Sequence, residues 1–161
     1  MEYEPVYAVG SADFEEIRRK GYVYVDKTEY VWKMVNTPAP IFLSRPRRFG
    51  KSLLTRTLEC YFSGKRELFE GLKIAEREKE WKVYPVLRFD LSRAKEGASL
   101  ERILEGLYEQ LVDYEDEWGI TRRKHTLGER LASIVKAARE RTGEKVVVLI
   151  DEYDAPLNNN I

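Results

Sequence analysis

The chain has 161 residues, 43% of them apolar, which suits one globular domain with a buried core and leaves little room for a second. Lys plus Arg number 28 and Asp plus Glu number 28, so no overall basic field exists to hold nucleic acid by counterion release, and only a local patch could do so. Cys60 is the single cysteine, which excludes an internal disulfide; no apolar run approaches the roughly 20 residues that span a bilayer, and the acidic start Met1-Glu2-Tyr3-Glu4 is unlike a secretion signal, so a cytoplasmic location away from membranes is expected.

Residues 1–40 read as a lead segment with short helices. Asp26 followed by Glu29 is a capping-box pattern, after which Tyr30, Val31, Met34 and Val35 recur at helical spacing until Thr37-Pro38. From residue 41 to 161 the chain reads as the N-terminal part of a nucleotide-binding core. Ile41-Phe42-Leu43 suits a short buried strand. A Pro- and Gly-containing loop follows, and Leu53, Leu54, Thr57, Leu58, Tyr61 and Phe62 then line one face of a helix closed by Gly64. In Tyr84 to Ser92, Leu87, Phe89 and Leu91 alternate with Val86, Arg88 and Asp90, as in a strand buried on one face and near a sheet edge. A helix capped by Ser99 carries Leu100, Ile103, Leu104, Leu107, Leu111 and Val112. Another begins with the capping box Thr126 to Glu129 and carries Leu131, Ile134, Val135 and Ala138. Val146 to Ile150 is continuously apolar, as expected for a central parallel strand covered on both faces, and runs into Asp151. Strands alternating with helices indicate an α/β sheet.

Arg45-Pro46-Arg47-Arg48-Phe49-Gly50-Lys51-Ser52 matches G-x-x-x-x-G-K-[ST] at every fixed position except the first, where Arg45 stands for glycine. The tripeptide GK[ST] alone should occur by chance in on the order of one chain in ten, so context decides. An apolar run precedes it, an amphipathic helix follows, and Gly50 lets the backbone approach an anion. The expected cofactor-binding set is Pro46, Arg47, Arg48, Phe49, Gly50, Lys51, Ser52 and Leu53. In it, Lys51 reaches the β- and γ-phosphates and the Ser52 hydroxyl ligates Mg2+. The bland alternative is an Arg-rich solvated turn.

Asp151 lies at the carboxyl end of the apolar strand, where open α/β sheets hold ligands. There its carboxylate would hold the metal, while Glu152 would polarise a water for attack on the γ-phosphate. Lys51 and Glu152 are therefore the expected catalytic residues, and Ser52 and Asp151 the expected metal ligands. By itself this acidic pair reads more readily as an acidic strand end that starts a turn through Asp154, Pro156 and Asn158, and it is the phosphate loop that tips the reading toward a metal site.

Three segments together resemble the predicted AAA-ATPase-like family: Tyr22-Val23-Tyr24-Val25-Asp26-Lys27-Thr28, Arg45 through Leu53, and Leu149-Ile150-Asp151-Glu152-Tyr153-Asp154. The likeness covers nearly the whole chain, and its R-P-R-R-F-G-K-S-L loop accounts for Arg45. It implies ATP and Mg2+ as cofactors. It also implies a three-layer α/β/α P-loop NTPase sheet, mostly parallel, with a further strand after Asp151 that carries a polar sensor residue. Because the sequence stops at Ile161, that sheet is expected to be incomplete at its C-terminal strands. Family members continue for several hundred residues and often end in a PD-(D/E)XK nuclease-like domain, so a missing C-terminal domain or a protein partner is implied.

The leading expectation is a Mg-ATP-binding, ATP-hydrolysing domain that serves as a regulatory or motor module. A nucleotide-binding switch without turnover and a P-loop kinase for small molecules are the alternatives, the latter disfavoured by Glu152 directly after Asp151. Arg47 and Arg48 could assist phosphate charge or simply solubilise the surface. Tyr24 to Thr28 could border the nucleotide base, although helix capping already explains Asp26. His125 has no second histidine or nearby cysteine to form a metal site, Trp32, Trp81 and Trp118 suit core positions, and Cys60 suits a buried thiol.

Overall fold

The computed structural model describes residues 6–44, 49–91 and 100–152. The chain divides into two compact units, Met1–Val83 and Tyr84–Ile161.

In the first unit the described secondary structure is helical throughout. Helix α1, Phe14–Arg19, starts where the Asp13 carboxylate accepts the Glu16 N–H at 3.1 Å, with Glu15 and Glu16 in its first turn and Arg18 and Arg19 in its last. Helix α2, Thr28–Val35, is started differently from the expected capping box. Asp26 Oδ1 accepts the Thr28 N–H at 2.8 Å and the Thr28 hydroxyl at 2.6 Å, while its Oδ2 accepts the Lys73 N–H at 2.8 Å. Lys73 opens helix α4, Lys73–Arg77, and the next amide, Ile74 N–H, donates to Thr28 Oγ1 at 3.1 Å. Asp26, 47 residues from Lys73 in sequence, thus joins with Thr28 the starts of the two helices. Burial would raise the Asp26 carboxyl, but the hydrogen bonds from Thr28 and Lys73 outweigh it and hold it below the ordinary range. Glu29, freed from the box, lies 3.7 Å from Lys33 and 3.6 Å from Arg77.

Helix α3, Lys51–Phe62, turns Thr57, Cys60 and Tyr61 inward. Cys60 and Tyr61 join Phe14, Val31, Phe69, Ile74 and Trp81 in the core, where the Phe69 ring sits 4.9 Å from Phe14 and 5.1 Å from Trp81. Burial pushes the Cys60 thiol up to about 12, which makes it inert. After α3 the chain reverses at Gly64, whose φ is +71°, into the 3-10 turn Arg66–Phe69. A Cβ at Gly64 would stand 2.5 Å from Val83 Cγ2, so a side chain here would strain the backbone and push the exposed Val83 aside.

The expected strand at Ile41-Phe42-Leu43 is not formed: these residues carry no strand assignment, and Ile41 and Phe42 are exposed. Apolar character alone cannot make a strand, because the backbone needs a neighbour to pair with, and this unit has no strand among its described residues.

The second unit is α/β. Strand β1, Val86–Asp90, buries Leu87 and Phe89, as the alternation predicted. Strand β2, Val147–Asp151, pairs with it in parallel, from Val86 beside Val147 to Asp90 beside Asp151. Between them run α5, Leu100–Glu117, and α6, Leu127–Thr142, which bring Leu111 and Ile134 onto Leu87 and Phe89. The Thr126–Glu129 capping box is formed at the start of α6, and Gly143 ends it in the left-handed conformation. Ser99, the expected cap of α5, lies outside the described residues.

Helix α5 also closes the outer edge of β1. The Tyr114 hydroxyl accepts the Arg88 N–H at 2.7 Å and lies 3.0 Å from the Arg88 carbonyl. The Gln110 amide accepts the Asp90 N–H at 2.8 Å and donates to the Asp90 carbonyl at 3.1 Å. Side chains therefore satisfy the backbone groups that a further strand would use, which makes β1 a sheet edge as expected. On β2 the expectation of two covered faces fails: Val148 is 42% and Ile150 55% exposed. Among the described residues the sheet has these two strands, and no helix is long and apolar enough to cross a membrane.

Glu115 is fully buried, and Arg130 grips it through two bonds, Nε to Oε1 at 2.7 Å and Nη2 to Oε2 at 2.6 Å. The Arg130 bond, against the opposing effect of burial, holds the Glu115 carboxyl below its ordinary 4.5. Its stabilising effect is therefore complete above about pH 4.5 and is lost as the pH falls below it. Glu115→Ala leaves a buried guanidinium without this partner, and urea unfolding at pH 7 should show a loss of about 3–5 kcal/mol. Stability of the wild type should fall more steeply below pH 4.5 than that of Glu115→Gln; parallel curves would contradict the assignment.

Candidate functional site

The start of α3 is electrostatically unlike any other helix start in the described chain. Gly50 occupies the N-cap with φ +76° and ψ 25°, a left-handed conformation that favours glycine, and no side chain caps the helix there. Every other helix carries an acidic residue in its first turn: Glu15 and Glu16, Glu29, Glu76, Glu101 and Glu129. Helix α3 carries none and begins instead with Lys51. A helix N-terminus bears roughly half a positive charge, and a cation in its first turn is disfavoured by about 0.3–1 kcal/mol. Lys51 is nevertheless 9% exposed, so most of this side chain lies beneath the protein surface. An anion is what such a place favours.

Around it, Ser52 follows on the first turn, partly buried, Leu53 packs on the core, and Phe49 projects with 63% of its surface exposed. Gly50 carbonyl accepts the Leu54 N–H at 3.0 Å, the first bond of the helix. Thus Phe49, Gly50, Lys51, Ser52 and Leu53 are gathered at one helix start. Pro46, Arg47 and Arg48, with Arg45, lie outside the described residues.

In the second unit, Asp151 ends β2 with 4% exposure. Its Oδ1 accepts the Glu152 N–H at 3.0 Å. Glu152 itself has φ +53°, a strained backbone for a non-glycine residue. Strain of this kind is not peculiar to polar sites here, since Trp81, in the core of the first unit, has φ +45°. Burial pushes the Asp151 carboxyl above the ordinary aspartate range. The Glu152 N–H opposes the rise, the charges of Asp90 and Glu152 add to it, and Arg88 counters it.

Two residues of this neighbourhood were not expected as site residues. The parallel register sets Asp90 beside Asp151, and Arg88 Nη1 lies 3.9 Å from Asp151 Oδ2 and 4.0 Å from Asp90 Oδ2. The signal was present in the sequence, since Arg88 and Asp90 are the polar members of the alternating strand, but their nearness to Asp151 depends on strand pairing.

Oxygen donors of this kind, a serine hydroxyl and aspartate carboxylates, suit a hard divalent cation. Among the described residues no group of three or more His, Cys, Asp or Glu side chains is arranged to hold a metal by itself. Magnesium sites of nucleotide-binding proteins commonly combine one or two carboxylates with substrate phosphates, so Ser52 and Asp151 fit that chemistry.

A family described as "Predicted AAA-ATPase" matches residues 8–161. An "Uncharacterized protein in vnfD 5'region" of Azotobacter chroococcum mcd 1 is 37% identical over 155 residues. That alignment covers 95% of this chain and 30% of the relative, so the chain spans under a third of the relative's length. No solved structure matches.

A buried carboxylate crowded by Asp90 and Glu152 should destabilise the protein when no cation is supplied. Asp151→Asn in magnesium-free buffer at pH 7 is expected to raise the melting temperature, by about 2–4 °C for each kcal/mol of relief. A lower melting temperature would show that the charge is compensated within the fold.

Proposed function

The chain belongs to the predicted AAA-ATPase family, and on that premise we propose that it binds Mg-ATP through the start of α3 and hydrolyses it. The observation that carries this reading is the combination at one helix start of left-handed Gly50, an acid-free first turn and a largely buried Lys51. The backbone amides of that turn receive phosphate oxygens, and the Lys51 ammonium neutralises β- and γ-phosphate charge. Pro46, Arg47, Arg48 and Phe49 lead into this turn, and Leu53 anchors it to the core. Ser52 and Asp151 hold Mg2+, which when bound neutralises charge on the phosphate oxygens. Glu152 orients and polarises the attacking water.

The two-strand sheet is, on this reading, part of a three-layer α/β/α P-loop sheet that grows from the β2 side. Tyr114 and Gln110 close the other edge, and the exposed Val148 and Ile150 need covering. Since the chain spans 30% of its relative, whatever the ATP drives belongs to the whole protein, in which this part acts as a regulatory or motor module.

Calorimetric titration with Mg-ATP tests the binding step. Charge-assisted hydrogen bonds contribute about 1.5–3 kcal/mol, so Lys51→Ala should bind at least about tenfold more weakly than the wild type. Indistinguishable heats would overturn the assignment. Phosphate release measured at saturating ATP should drop by at least about a hundredfold in Glu152→Gln, as the loss of a general base requires. Turnover undiminished in that variant would remove Glu152 from the mechanism.

A further inference from the structure

Strand pairing sets Arg88 beside Leu149 and Asp90 beside Asp151, so these four residues share one face of the two strands, while Leu87 and Phe89 turn to the other. On the shared face Arg88 Nη1 lies 3.9 Å from Asp151 Oδ2 and 4.0 Å from Asp90 Oδ2, beyond hydrogen-bond length but within the range of direct charge attraction. We propose that the Arg88 guanidinium is the resident counter-cation of this carboxylate pair and keeps its affinity for a lone divalent cation low, a proposal that rests on reading Asp151 as a metal-binding carboxylate.

Three features set this contact apart from a surface ion pair. The Arg88 side chain is 13% exposed and that of Asp151 5%, so water and salt screen their attraction little. An arginine does not lose its proton inside a protein, so the positive charge beside Asp151 is permanent. One guanidinium also faces two carboxylates, which leaves the group with a net negative charge when both are ionised. That remainder still attracts a metal, but it is too little to strip water from a bare Mg2+, an ion that dehydrates reluctantly.

Helix α5 fixes the backbone from which both β1 side chains extend. The Tyr114 hydroxyl bonds to the N–H and the carbonyl of Arg88, and the Gln110 amide to the N–H and the carbonyl of Asp90. Gln110 is 6% exposed and its amide nitrogen also donates to the Gly106 carbonyl at 3.0 Å, so the clamp is itself held. With β1 fixed in this way, Asp90 cannot withdraw from Asp151 by a shift of the strand, and a divalent cation that approaches Asp151 meets the repulsion of the guanidinium. The phosphates of a nucleotide bring the further negative charge that overcomes it. The metal is therefore taken up together with the nucleotide and not ahead of it.

The test measures binding of Mn2+, which shares the oxygen-ligand preference of Mg2+, to the whole chain without nucleotide, from the electron paramagnetic resonance of the free ion. Arg88→Gln should bind Mn2+ at least about tenfold tighter than the wild type, whereas Arg88→Lys, which keeps the charge, should bind as weakly as the wild type. Adding Asp151→Asn to Arg88→Gln should remove the gain. If Arg88→Gln is unfolded without metal, Mn2+ should restore its fold, and failure to do so would overturn the proposal. An arginine that merely ties the strands together would lower the melting temperature on substitution and leave the Mn2+ affinity of the folded variant unchanged, which would also overturn it. So would a gain that survives Asp151→Asn, or one that Arg88→Lys shares. Titration with Mn-ATP tests the underlying reading of Asp151 separately: weaker binding by Asp151→Asn than by the wild type supports that reading, and equal binding would overturn it.

Discussion

The positive end of α3 is the constraint around which the first unit is organised. The helix begins on a left-handed glycine, without a side-chain cap from that residue or an acid in its first turn to balance its dipole. Lys51 opens the helix there with little exposure. Local rules of helix design would place Asp or Glu there, as the other helices do, and departures from such rules collect at functional sites. The unit holds this arrangement with contacts remote from it: the aromatic core of Phe14, Phe69 and Trp81 fixes the inner face of α3. The Asp26 and Thr28 bonds fix α2 against α4.

The second unit shows the same opposition with the charge reversed. Asp90 stands beside Asp151 in register where two parallel strands end, the charges of Asp90 and Glu152 act on Asp151, and burial disfavours its charge. The fold accepts this while the rest of the unit is well satisfied, with Glu115 and Arg130 paired in the interior and Tyr114 and Gln110 closing β1. Both departures therefore concern charge at the ends of well-made elements. An anion would relieve the first and a cation the second.

Much of this was legible in the residues, and the exceptions share a cause. The Thr126–Glu129 box and the Leu87–Phe89 alternation are local patterns, and local patterns are read correctly when the interaction they name is also local. Asp26 failed as half of a box with Glu29 because its partners include the amide of Lys73, far along the chain. Ile41 to Leu43 shows an apolar run without the pairing that would make it a strand. In β2 the continuous apolar run promised two covered faces, but covering needs neighbours that periodicity cannot supply, and Val148 and Ile150 stay exposed. Likewise Arg88 and Asp90 became part of the Asp151 surroundings only through strand register. The helix α1 start, Asp13 to Glu16, was a capping signal in plain sight among many acidic residues.

The central claim is that triphosphate binds at the amides that open α3. Amide NMR shifts followed during titration with Mg-ATP test it most directly. The largest changes should fall on Gly50, Lys51, Ser52 and Leu53. Saturable nucleotide binding that leaves those four amides unmoved, or no binding at all, would contradict it.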